Sequence, residues 1–183
     1  VTSRVIETLT RNAHELVIAK QFGFASVGLF SRAFGLIELF YNNVSAAILR
    51  VAAPSFANDH RSGRNLAETF ARSTAIFTSV AWPFFAFVAI MAKEIVNVLF
   101  GSQWDSAAPI ASTLAIALMP GYLYILGPTL LTATGNVARR LKISILYSPV
   151  HLSGILIASH FDLKMVAAAW GLSQIMVLML YSH

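Results

Sequence analysis

AAPIASTLAIALMPGYLYILGPTLLTA, residues 107–133, contains no Asp, Glu, Lys or Arg. As a helix it would be about 40 Å long at 1.5 Å per residue, enough to cross a hydrocarbon core roughly 30 Å thick. Its backbone amides would then all be satisfied within the segment, as a bilayer requires. Pro109, Pro120 and Pro128, with Gly121 and Gly127, predict kinks and locally loosened backbone along it.

The same pattern extends outward. No charged residue lies between Arg72 and Lys93, between Lys142 and Asp162, or after Lys164. Charged residues make up 11% of the chain and hydrophobic ones 57%, with a mean hydropathy of +0.69. A water-facing surface normally needs roughly 25% charged residues. The reading is an all-α, polytopic membrane protein with six spans at about 3–22, 25–53, 70–92, 107–133, 142–160 and 165–183, forming a single membrane domain over 1–183. Residue 1 is Val, and the apolar run IMVLML continues almost to His183, so the chain reads as a piece of a longer protein.

The formal charge of +5 sits in short connectors rather than over one face, which argues against nucleic acid. Arg61, Arg64 and Arg72 follow the second span, and Arg139, Arg140 and Lys142 follow the fourth. The other two internal connectors hold Lys93 and Lys164. Positive-inside bias places the first pair of connectors in the cytoplasm. Asn65 is positioned to cap the third span, Pro54 to stop the second, and Trp82, Trp104 and Trp170 read as interface anchors.

The first segment has Arg4, Glu7, Arg11 and Glu15 on one side and Ile6, Leu9, Ala13, Leu16 and Val17 on the other. Two readings fit: a helix lying in the interface, or a span whose polar side faces a water-filled interior. In the second span, Arg32 and Arg50 fall on the same side of an ideal helix at 100° per residue, with Asn43 within about 20° of both. This stripe of Arg32, Asn43 and Arg50 would suit an anionic substrate, because the guanidinium fork binds phosphate through paired hydrogen bonds. The alternative is that the two arginines snorkel to the headgroups at opposite ends of the helix. Glu38 points about 120° away from the stripe and, with Glu15, is a candidate for coupling to an ion or proton gradient.

Enzyme signatures are missing. HELVI at His14 has Ile18 where a zinc-binding HExxH needs histidine, and there is no Walker loop, GxGxxG or GxSxG. Cysteine is absent, so thiolate chemistry is excluded. His151 and His160, nine positions apart, fall on opposite faces of a helix, and neither a metal nor a cofactor is expected.

GFASVGLFSRAFGLIEL (23–39), the proline-containing VAAPSFAND (51–59), EIVNVLFGSQWDSAAPI (94–110) and LLTATGNVARRLK (130–142) together resemble polysaccharide flippases of the Wzx type. Exopolysaccharide and colanic-acid exporters are the nearest likeness, within the superfamily shared with multidrug exporters, and the similarity covers roughly residues 15–175. It implies two MATE-like six-helix bundles around a cavity that opens alternately to either side, this chain beginning the second and lacking the N-terminal bundle. The implied cargo is an undecaprenyl-pyrophosphate-linked oligosaccharide carried across the bacterial inner membrane for polysaccharide biosynthesis, and the first segment becomes a span. A multidrug or cation antiporter of the same superfamily is the alternative, and a membrane enzyme acting on polyprenyl-linked glycans a more distant one.

Overall fold

A computed structural model describes residues 15–182. The first expected span, 3–22, therefore lies largely outside the described residues. Its end, 15–22, is helical (α1). A turn at Gly23, whose φ of 79° suits a residue without Cβ, leads into α2, Phe24–Phe40. One π turn, Tyr41–Ser45, joins it to α3, Ala46–Arg61. After a tight turn come α4, Leu66–Ile90, and the short α5, Ala92–Phe100. A 3₁₀ turn, Ser102–Ala107, leads to α6, Ala108–Leu118. A second, Met119–Leu123, separates α6 from α7, Gly127–Ala133. The chain closes with α8, Val137–Ala158, and α9, Leu163–Ser182.

Among the described residues there is no strand, and five segments are long and apolar enough to cross a membrane: Phe24–Arg61, Leu66–Ile90, Ser102–Ala133, Val137–Ala158 and Leu163–Tyr181. Large apolar side chains such as Phe24, Val51, Ile76, Ile157 and Leu172 are exposed along them. Burying these in lipid rather than leaving them in water is what makes the bundle stable, and the protein is a multi-pass, all-α membrane protein.

The connectors follow local chemistry. Asn65 caps α4, its Oδ1 accepting from the amides of Ala67 and Glu68 at 3.1 and 3.4 Å. Buried Asp59 braces the same turn, accepting from Thr69 Oγ1 at 2.9 Å and from Arg64 at 3.4 Å. The helix does not stop at Pro54 but continues to Arg61. Pro54 is exposed, while Ala52 and Phe56 beside it are buried, so packing of the opposite face outweighs one lost backbone hydrogen bond. Since α3 also packs on α7, the two arginine-rich turns lie at the same end of the bundle.

The core is aromatic. Phe40 stacks on Phe84 at 4.7 Å between centroids and meets Phe85 and Tyr122 at 5.3 and 5.7 Å. α6 and α9 approach closely: a Cβ at Gly171 would lie 2.7 Å from Ala117 Cβ and 2.8 Å from its Cα. Trp170, read from sequence as an interface anchor, is buried there instead. It stacks on Phe34 at 4.9 Å and meets His151 edge-on at 5.1 Å.

Candidate functional site

The span from Ser102 to Ala133 is one membrane-length segment but not one helix. Pro120 cannot donate to a carbonyl four residues back, and its ring crowds that turn, so α6 gives way to 3₁₀ geometry at Met119. Pro128 stands in the first turn of α7, where a missing amide costs little. Between them the backbone runs irregularly from Tyr124 to Leu126. The Met119 carbonyl, at the start of the 3₁₀ turn, accepts from Trp82 Nε1 at 3.2 Å. Non-helical backbone at membrane depth is tolerated where protein covers it or where it lines a cavity.

Here it lines a cavity. About 750 Å³ of space opens beside the break, walled by Phe34, Ile37, Glu38 and Tyr41 of the α2 side, Leu49 of α3, and Gly121, Tyr122, Tyr124, Pro128 and Thr129 of the broken span. Arg140 of α8 and Trp170 and Gln174 of α9 complete it. One carboxylate, one guanidinium, three phenols and an amide thus face a common space inside an otherwise apolar bundle. Arg140 is half-buried, and its Nη1 donates to Thr132 Oγ1 at 3.1 Å. The Thr132 hydroxyl in turn donates to the Pro128 carbonyl at 2.7 Å. The guanidinium is therefore tied to the start of α7.

Of the five residues read from sequence as substrate-binding or coupling candidates, Arg32, Asn43, Arg50, Glu15 and Glu38, only Glu38 lines this cavity. Arg32 is exposed on α2, its guanidinium carbon 5.0 Å above the Trp104 ring and 5.3 Å above that of Phe100. Asn43 is exposed in the π turn and donates to the Leu39 carbonyl at 2.7 Å. Arg50 is exposed on α3, and Glu15 is exposed on α1. The π turn takes Arg50 off the stripe drawn for an ideal α-helix. It inserts one residue between Arg32 and Arg50, which rotates everything beyond it by about 100° relative to an unbroken α-helix. Arg140, Tyr122, Tyr124 and Gln174 escaped sequence reading. The available signal was polar side chains within charge-free spans, next to paired Pro and Gly.

Behind the cavity, buried His151 lies 2.8 Å through Nδ1 from Ser173 Oγ, which is 2.6 Å from the Trp170 carbonyl. With the serine proton on that carbonyl, the contact is satisfied by the imidazole tautomer protonated on Nδ1. Among the described residues no group of three His, Cys, Asp or Glu could hold a metal ion.

The sequence family described as polysaccharide biosynthesis protein matches residues 1–109. Over 116 residues the chain is 24% identical to the teichuronic acid biosynthesis protein TuaB of Bacillus subtilis (strain 168), an alignment covering 63% of this chain and 24% of TuaB. Over 115 residues it is 25% identical to the succinoglycan biosynthesis transport protein ExoT of Rhizobium meliloti (strain 1021), covering 63% of this chain and 23% of ExoT. The aligned part spans about a quarter of either relative's length. No solved structure matches the chain. The family match takes in the α2 and α3 walls of the cavity, whereas the broken span beyond Pro109, Arg140 and Gln174 lie past it.

Proposed function

The chain belongs to the polysaccharide biosynthesis protein family, and from that premise we propose that it is the second six-helix half of a flippase that exports undecaprenyl-pyrophosphate-linked oligosaccharide across the bacterial inner membrane by alternating access. The observation that carries the proposal is the cavity at the broken span, with Arg140 in its wall. A cargo with a pyrophosphate and a hydroxyl-rich glycan needs a cation and several hydrogen-bonding groups in one protected space. Arg140, Tyr41, Tyr122, Tyr124 and Gln174 supply both. The role that an ideal-helix stripe suggested for Arg32, Asn43 and Arg50 passes to Arg140, because none of the three lines the cavity. No covalent step is involved. The irregular backbone at Met119–Leu126 provides a joint at which α6 and α7 can reorient around the cargo, as discontinuous helices do in transporters.

Glu38 in the same wall supports coupling to a proton or cation, and it is also what favours the second reading, an antiporter for cations or drugs. Substitution in the full-length protein separates the two. For a flippase, Arg140→Ala causes undecaprenyl-linked oligosaccharide to accumulate on the cytoplasmic side, while Arg32→Ala and Arg50→Ala retain export. Export unaffected by Arg140→Ala would remove the cargo assignment. Loss of cation-driven transport in Glu38→Gln, with Arg140→Ala harmless, would establish the antiporter.

A further inference from the structure

The helical rod Phe24–Arg61 is 38 residues long, about 57 Å at helical rise, against a hydrocarbon core of roughly 30 Å. It overruns the core, and Arg32, about 12 Å along it, falls near one boundary. That is the end of the bundle opposite the arginine-rich turns, where α4 ends, α5 runs and α6 begins. α5 is amphipathic: Ala92 and Val96 are buried against the bundle, Lys93, Glu94 and Asn97 form a polar arc, and Val98 and Leu99 point away, 83% and 51% exposed. Ile90, just before it, is 79% exposed. Because α5 connects two spans at their common end, this apolar arc continues the lipid-facing surface of α4 and α6. Its partner is the bilayer, at the level where acyl chains meet headgroups.

Arg32 stands at that level. Its guanidinium is held over the Phe100 and Trp104 rings, and the side chain remains exposed. Among the described residues it makes no ion pair or hydrogen bond, although Asp105 follows Trp104 directly in the 3₁₀ turn. A guanidinium with unused donors, clamped at the headgroup boundary beside an interfacial helix, lacks one thing, an anionic oxygen. We propose that Arg32 and α5 form a binding site for a bilayer phospholipid, with the headgroup phosphate on Arg32 and the acyl chains against Ile90, Val98 and Leu99.

The test uses the full-length protein in nanodiscs of phosphatidylglycerol and phosphatidylcholine. A nitroxide at Val98→Cys is expected to collide freely with oxygen and poorly with a water-soluble nickel chelate. Native mass spectrometry is expected to show phosphatidylglycerol retained by the wild type about tenfold more tightly than by Arg32→Ala, the loss that fits one charge-assisted contact. Millimolar inorganic phosphate should leave that lipid in place. Displacement by phosphate would mean an anion site open to water, and would overturn the proposal. So would a nickel-accessible Val98, or lipid retention unchanged in the variant. If Arg32→Ala does not fold, Arg32→Gln, which removes the charge and keeps the contact with the rings, takes its place. None of these readouts depends on transport, so the result stands apart from the flippase reading.

Discussion

Arg140 and Ser173 show how single side chains are held in an interior with almost no polar material. Arg140 donates to Thr132, whose hydroxyl donates to the Pro128 carbonyl, so one edge of its guanidinium is linked to the helix that follows the break in the span. Lysine keeps the charge but not the planar fork. Under the proposed flippase function, Arg140→Lys is expected to leave the protein folded yet lower export of lipid-linked oligosaccharide severalfold, whereas Thr132→Val, which removes one contact of the guanidinium, should weaken export more mildly. Equal export in Arg140→Lys and wild type would show that only net charge matters there. Ser173 pairs with His151 Nδ1 and donates to the Trp170 carbonyl. Ser173→Ala removes the hydrogen bond to His151 Nδ1 and the one to the Trp170 carbonyl, and a stability loss of about 1 kcal/mol is expected in thermal unfolding in detergent. Some of this chemistry was legible beforehand. Asn65 announced itself as a cap through its residue type and its place after a Gly-containing polar turn. Arg140 did not, because it stands beside Arg139 and Lys142 in a run that reads as a loop, and only the fold turns one of the three inward.

At the scale of elements, proline and glycine placement proved readable and a one-residue insertion did not. Pro120, Gly121, Gly127 and Pro128 predicted a loosened span, and the span is interrupted between Met119 and Leu126. Nothing in YNNVS (41–45) marks a π turn, since no proline or glycine punctuates it, yet that turn re-aims all of α3. Deleting Asn42 would convert the turn to regular α-helix and rotate α3 by about 100° against α2. The buried faces of Phe30, Ala33 and Phe40 on one side and Ala52 and Phe56 on the other would then no longer point into one core. The deletion is expected to abolish a monodisperse size-exclusion peak, and a well-behaved, equally stable deletion protein would mean that the turn is incidental. Gly171 tests packing more locally. A side chain there collides with the Cα and carbonyl of Ala117, which cannot swing aside as a flexible side chain could. Gly171→Ala should cost roughly 1–3 kcal/mol through overpacking. Gly154, with nothing within 4 Å of its ideal Cβ, should accept alanine without loss.

For the whole molecule, orientation follows from the placement of a few charges, and the chain itself offers a clean way to measure it. The turns at 61–65 and 134–136 share one end of the bundle, and the basic residues crowd there: Arg61 and Arg64 at one turn with Arg72 in the second turn of α4, and Arg139, Arg140 and Lys142 in the first two turns of α8. The opposite end carries α5 and the 159–162 turn, where Lys93 precedes Glu94 and Lys164 follows Asp162. Insertion retains the Lys/Arg-rich end in the cytoplasm. No cysteine occurs in these 183 residues, so single cysteines can report accessibility once any elsewhere in the full-length protein are removed. With a membrane-impermeant thiol reagent added to intact cells, Ser62→Cys and Asn136→Cys are expected to stay unlabelled until the membrane is opened. Gln103→Cys and His160→Cys should react at once. Reversal of both pairs would overturn the orientation but keep the fold, because connected antiparallel spans exchange ends together. A split within a pair, with Ser62 and Asn136 on different sides, is incompatible with α3 packed against α7 and would overturn the bundle itself. The outcome also bears on the cargo. Arg140 lies a few residues from the basic end, so in the expected orientation the cation of the cavity stands nearest the leaflet in which a lipid-linked oligosaccharide would first be met.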